Sequence, residues 1–137
     1  MQMKTTSRSN RDRTEETKAK LIAAARELFV ANGYAETSTP EIVKQAAVTR
    51  GALYHHYKDK SDLFRAVLED EARLVGQTIA EETRVPQSAL ENFTIGAEAY
   101  FSAMKIDGRA KLLLIEGPSV LGKVEMDRIN NLAGADE

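Results

Sequence analysis

Cysteine is absent from these 137 residues, proline occurs three times, and aromatic residues make up 6%. Without cysteine there are no disulfides and no thiolate chemistry, and a reducing cytoplasm is the compatible setting. No apolar run approaches the ~20 residues of a membrane span, and the polar start MQMKTTSRSNRDR lacks the apolar core of a signal peptide. No internal repeat or low-complexity tract is present. Net charge is also small, at −2, but it is uneven. Residues 1–60 hold 11 Lys and Arg against 7 Asp and Glu, a net +4, whereas residues 61–137 hold 8 against 14, a net −6. A basic first half can meet phosphate while an acidic second half stays in solvent.

The most informative stretch is TSTPEIVKQAAVTRGALYHHYKDK, from Thr37 to Lys60, which reads as two short helices joined by a tight turn. Ser38 caps the first helix, Glu41 completes a capping box, and Pro40 sits in the first turn, where a missing N–H costs nothing. Ile42, Val43 and Ala46 give this helix an apolar side. The chain turns at Ala47-Val48, and Thr49 is the expected N-cap of a second helix from Arg50 to about Tyr57. Leu53 and Tyr57, four apart, face inward with Val48, while Arg50, Gly51, Tyr54 and His55 fall on the opposite side. Such a face can hold donors against phosphate oxygens and base edges, and a residue without a side chain at position 51 lets the helix backbone approach a duplex closely.

The segment ARELFVANGYAETSTPEIVKQAAVTRGALYHHYKDKSDLFRAVLE resembles the DNA-binding domain of the TetR family of one-component transcriptional regulators, over roughly Thr14 to Glu69. GALYHHY followed by a lysine and DLF is much more restrictive than a generic helix-turn-helix. KLLLIEGPSVLG, at Lys111 to Gly122, is similar to part of the regulatory domain in one branch of that family. The resemblance implies that the second helix lies in the major groove and that a lysine at the start of the next helix binds phosphate. Carried over, it implies DNA contacts from Ser38, Thr39, Thr49, Arg50, Gly51, Tyr54, His55, His56 and Lys60. Ala47 stands where the family usually has glycine, and a non-glycine residue at positive φ costs on the order of 1 kcal/mol. The family also continues beyond this length and dimerises through helices near the C-terminus. The chain is therefore expected to be either a fragment of a longer, homodimeric regulator or a shortened one with a different interface.

Elsewhere, residues 1–13 read as a disordered basic tail, and Thr14 as the cap of a first helix buried through Leu21, Ala25, Leu28 and Phe29 and ended by Gly33. A longer helix starts at Asp59 or Ser61, with Leu63, Phe64, Val67, Leu68, Leu74, Val75 and Ile79 on its buried side, and ends near Arg84 because Pro86 disfavours helix before it. A further helix spans about Gln87 to Lys105. Asp107-Gly108 makes a turn, a short apolar helix covers Arg109 to Ile115, and Gly117-Pro118 breaks the chain before a last helix to about Asn130. Phe93, Tyr100, Phe101 and Met104 are either effector-pocket residues or an ordinary core stripe.

Two other chemistries are weighed against this. Gly117 and Gly122-Lys123 have phosphate-loop spacing, but Val124 replaces the Mg²⁺-binding hydroxyl, Pro118 lacks an N–H, and fewer than 15 residues follow. His55 and His56 point about 100° apart on a helix, and no third histidine exists to complete a metal site. The expectation is an all-α protein: a three-helix DNA-binding domain at 14–60 and a partial helical ligand-binding and dimerisation bundle at 61–137. It would act as a cytoplasmic, non-enzymatic regulator without cofactor or metal, most concretely a repressor on a palindromic double-stranded operator, released by a small-molecule effector. A helical protein-interaction module with no DNA role is the competing class.

Overall fold

The structure, a computed structural model, describes residues 9–134, which are helical without strands. They divide at Leu63/Phe64 into two compact units. The first holds α1 (Asn10–Asn32), α2 (Thr39–Ala46), α3 (Arg50–His56) and the start of α4 (Lys60–Glu82). The second holds the rest of α4, α5 (Ala89–Met104), a π-helical turn (Lys111–Glu116), α6 (Gly117–Leu121) and α7 (Lys123–Asn130).

Helix α1 starts earlier than its sequence suggests. Ser9, not Thr14, is the N-cap, its hydroxyl accepting from the Asp12 amide at 3.1 Å. Residues 10–13 are therefore helical, and the first eight residues of the expected tail lie outside those described. A polar first turn without apolar periodicity hides a helix start, because the cap and not a buried stripe defines it. The other end is as expected: Gly33, at φ 86°, donates its amide to the Phe29 carbonyl at 2.8 Å.

The core of the first unit is built from α1, α2 and α3, where Leu21, Phe29, Ile42 and Leu53 are fully buried and Tyr57 nearly so. Burying a side chain of this size contributes roughly 1.5–3 kcal/mol. α4 then begins with two side-chain bonds: Asp59 accepts from the Asp62 amide at 2.8 Å, and Asp62 accepts from the Lys58 amide at 2.9 Å.

In the second unit the pattern departs from the sequence in several places. Leu74 is exposed, while Glu71 and Ala72 are buried. Glu71 is tolerated there because the Arg109 guanidinium donates to it at 2.8 Å and to the Ala103 carbonyl at 2.9 Å. α5 is capped by a full box between Ser88 and Glu91, and it turns its small residues Ala99 and Ala103 inward. Gly117-Pro118 does not break the chain. The π-helical turn runs directly into α6, with Pro118 in its first turn, and the break falls at Gly122, at φ 87°. A Cβ on Gly117 would stand 2.9 Å from Leu68 Cδ1 and from Met126 Sδ, so glycine there serves close helix packing. Arg65 of α4 donates to Glu125 of α7 at 2.9 Å, and Arg128 of α7 to Glu69 at 2.7 Å. Among the described residues no helix is long and apolar enough to cross a membrane.

Candidate nucleic-acid interface

The two short helices are set by local bonds. Ser38 accepts from the Glu41 amide at 3.3 Å and the Glu41 carboxylate accepts from the Ser38 amide at 2.9 Å, closing the expected box at the head of α2. Ala47 takes the left-handed conformation, φ 59° and ψ 44°, and its amide and that of Val48 donate back to α2. Thr49 then accepts from the Ala52 amide at 3.0 Å and starts α3. Removing a threonine or serine cap of this kind costs about 0.5–2 kcal/mol. Gln45 and Glu27 hydrogen-bond between α2 and α1.

α3 has two sides. Leu53 is fully buried and Tyr57, its C-cap, is 6% exposed, so these two seat the helix. Thr49, Arg50, Gly51, Tyr54 and His55 are exposed on the other side. No ion pair holds Arg50 among the described residues; its guanidinium carbon lies 5.9 Å from the centre of the Tyr54 ring. The Tyr54 hydroxyl shares a 3.2 Å hydrogen bond with Thr39 Oγ1, which joins α3 to the head of α2. Gly51 is not required by the protein itself. A Cβ there would find only Thr49 Oγ1, at 3.9 Å.

Ser38, Thr39, Tyr54 and Lys60 come together around one open cleft of about 440 Å³ in front of α2. The hydroxyls and ammonium there suit a phosphate group. Lys60 is not a free cation, however. Its Nζ donates to the carbonyls of Tyr34 at 2.8 Å and Thr37 at 3.0 Å, and lies 4.2 Å from the centre of the Tyr34 ring. Neither Tyr34 nor Thr37 stands out in the sequence, because the residue that ties them is 26 and 23 positions away. His56, a DNA contact implied by the resemblance, lies off the exposed side of α3. It is half-buried with its ring 4.8 Å from that of His55. Desolvation first, then the neighbouring His55 and Lys18, hold its pKa below the usual histidine value, with Glu15 opposing.

The sequence model of bacterial regulatory proteins, tetR family, matches residues 21–67, which cover this entire arrangement. Residues 21–67 are a TetR-family segment. Among the relatives, the HTH-type transcriptional regulator AcrR of Shigella flexneri is 41% identical over 70 residues, which are 51% of this chain and 33% of AcrR. The Tn10 TetC protein of Escherichia coli is 34% identical over 113 residues, 80% of this chain and 55% of TetC. A TetR-family regulator from Pectobacterium atrosepticum superposes with a TM-score of 0.69 at 26% identity, over 92% of this chain and 80% of that one. The chain thus spans about half the length, or less, of these two curated relatives.

The second unit contains a separate cavity of about 260 Å³. Tyr100 and Met104 line it, with Ala72, Val75, Leu113, Leu114 and Asn130. The other two effector candidates are elsewhere: Phe93 and Phe101 are 72% and 65% exposed on the outer side of α5. They therefore form neither the cavity wall nor the core stripe. The inward side of α5 is taken by the smaller residues Ala99 and Ala103.

Proposed function

We propose that this chain is the DNA-reading part of a transcriptional regulator, most concretely a repressor that binds a near-palindromic duplex operator as a homodimer in its full-length form. The observation that carries the reading is the exposed side of α3, where Arg50, Gly51, Tyr54 and His55 stand together while Leu53 and Tyr57 seat the helix from behind. Arg50 reads a guanine edge in the major groove, and Gly51 permits backbone approach. Ser38, Thr39, Thr49, Tyr54, His55 and Lys60 meet phosphate. His56 acts from its half-buried place behind the face. The working environment is the cytoplasm, where duplex DNA is available.

Release from DNA is assigned to a small molecule in the cavity beside Tyr100 and Met104. Such a ligand lowers DNA affinity only by its preference for the state that does not fit the operator, typically ~1–3 kcal/mol. No catalytic role is assigned.

The test is binding of duplex DNA by fluorescence anisotropy, first with random-sequence duplexes at low salt and then with duplexes selected from a pool. Affinity should fall steeply as salt rises, and selected duplexes should bind much more tightly than random ones. Absence of salt-dependent binding to any duplex refutes the proposal and leaves a protein-interaction module.

A further inference from the structure

The turn between α1 and α2 is tied by more bonds than a surface connection needs. Thr37, 1% exposed, donates its hydroxyl to the carbonyls of Gly33 at 2.8 Å and Leu28 at 3.1 Å, and its amide to Tyr34 at 3.2 Å. The Tyr34 ring stacks on buried Phe29 with centres 5.6 Å apart. Lys60 reaches over that ring and caps the carbonyls of both Tyr34 and Thr37. An ammonium has three N–H donors, so two serve the turn and one is left for an outside acceptor. Thr37 and Lys60 are also two walls of the cleft in front of α2.

We infer that Tyr34 and Thr37 are positioning residues for DNA contact, acting through Lys60. The inference rests on the DNA-reading proposal. A lysine side chain without such anchors keeps its rotamer entropy, which an anion must overcome to fix it. Here the ring and two carbonyls already fix the ammonium at the cleft, beside Ser38, Thr39 and Tyr54. A phosphate arriving there meets a charge already in place, through the one remaining N–H. The turn in return cannot loosen without moving that charge.

The distinguishing experiment is a double-mutant cycle on DNA binding with Tyr34→Leu and Lys60→Met. The probe is a random-sequence duplex of about two helical turns at low salt, because a phosphate contact is independent of sequence. Tyr34→Leu alone should weaken binding by about three- to fivefold, the scale of one exposed cation–π contact. Tyr34→Phe, which keeps the ring, should bind like the parent. In the Lys60→Met background the Tyr34→Leu change should have almost no further effect, and Lys60→Met should lower the salt slope by about 0.9. Helical circular dichroism and urea unfolding confirm that each variant is folded. Thr37→Ser, which keeps the hydroxyl, serves as a milder probe if Tyr34→Leu unfolds, and its amide exchange should quicken at residues 34–38 with a matching loss of affinity. Equal fold-losses from Tyr34→Leu in both backgrounds overturn the inference, as does unchanged affinity of Thr37→Ser with a loosened turn. A parent chain that binds no duplex at all refutes the DNA-reading proposal instead, and the inference with it.

Discussion

Gly51→Ala separates the demands of the fold from those of DNA. In the free protein the added methyl group has room, since its nearest neighbour would be Thr49 Oγ1 at 3.9 Å, an ordinary van der Waals distance. The position is helical, within Arg50–His56, so alanine lowers the backbone entropy of the unfolded chain at no steric expense. Gly→Ala in a helix is worth about 0.5–1 kcal/mol, and urea unfolding should show a gain of that order or slightly less so close to the helix start. On DNA the same methyl group projects from the exposed side of α3, between Tyr54 and His55 around the helix. If it holds the helix off the groove, at least one base contact is lost, at about 1–3 kcal/mol, so selected-duplex affinity should fall roughly 5- to 150-fold. Anisotropy titrations of parent and variant under identical salt give the comparison. A variant that is as stable as the parent or more so, and yet binds equally tightly, would refute the close approach of α3 to DNA. A variant that loses stability would refute the open surroundings of Gly51.

Arg50→Ala should weaken binding to a selected duplex by about 1–3 kcal/mol while changing random-duplex binding little; equal losses would make Arg50 a phosphate contact only. His56 has a depressed pKa in the folded state, so its neutral form is favoured there, and stability present above the unfolded value near 6.5 should be lost as pH falls through the folded one. Urea midpoints between pH 7.5 and 5.5 should show a loss that His56→Gln reduces, and an unchanged pH slope in that variant would dismiss His56 as its source. Arg109→Met, which removes the guanidinium that donates to the buried Glu71 carboxylate, should destabilise the protein by about 3–5 kcal/mol, whereas Glu71→Leu with Arg109→Met should recover most of that; a single variant as stable as the parent would contradict the buried pair.

The first unit was largely legible because its signals are local. The Ser38–Glu41 box, the Thr49 cap and the four-residue spacing of Leu53 and Tyr57 each act within one helix turn, and the structure places them accordingly. The sequence marks Lys60 as a phosphate contact through the resemblance but not its carbonyl partners, which are distant in sequence. The second unit was less legible. An apolar stripe on α5 does not reveal that Ala99 and Ala103, being small, take the packed side and leave Phe93 and Phe101 outside. A glutamate at position 71 reads as solvent-facing until an arginine 38 residues away is brought to it. Gly117-Pro118 reads as a break, although proline is well placed in the first turn of a helix and glycine is there because Leu68 and Met126 leave no space for a side chain.

The π-helical turn at Lys111–Glu116 has a bearing on how this chain can change over generations. A π turn carries one residue more than the α-helical path between the same two ends. Deleting a single residue there restores ordinary helix while α5 before it and α6 after it keep their orientation, so Gly117 still meets Leu68 and Met126. The same deletion in the middle of α4 would rotate everything beyond it by about 100° and take Glu71 away from Arg109. Length variation by one residue among descendants of this sequence should therefore gather at Lys111–Glu116, which acts as a slack link in an otherwise fixed register.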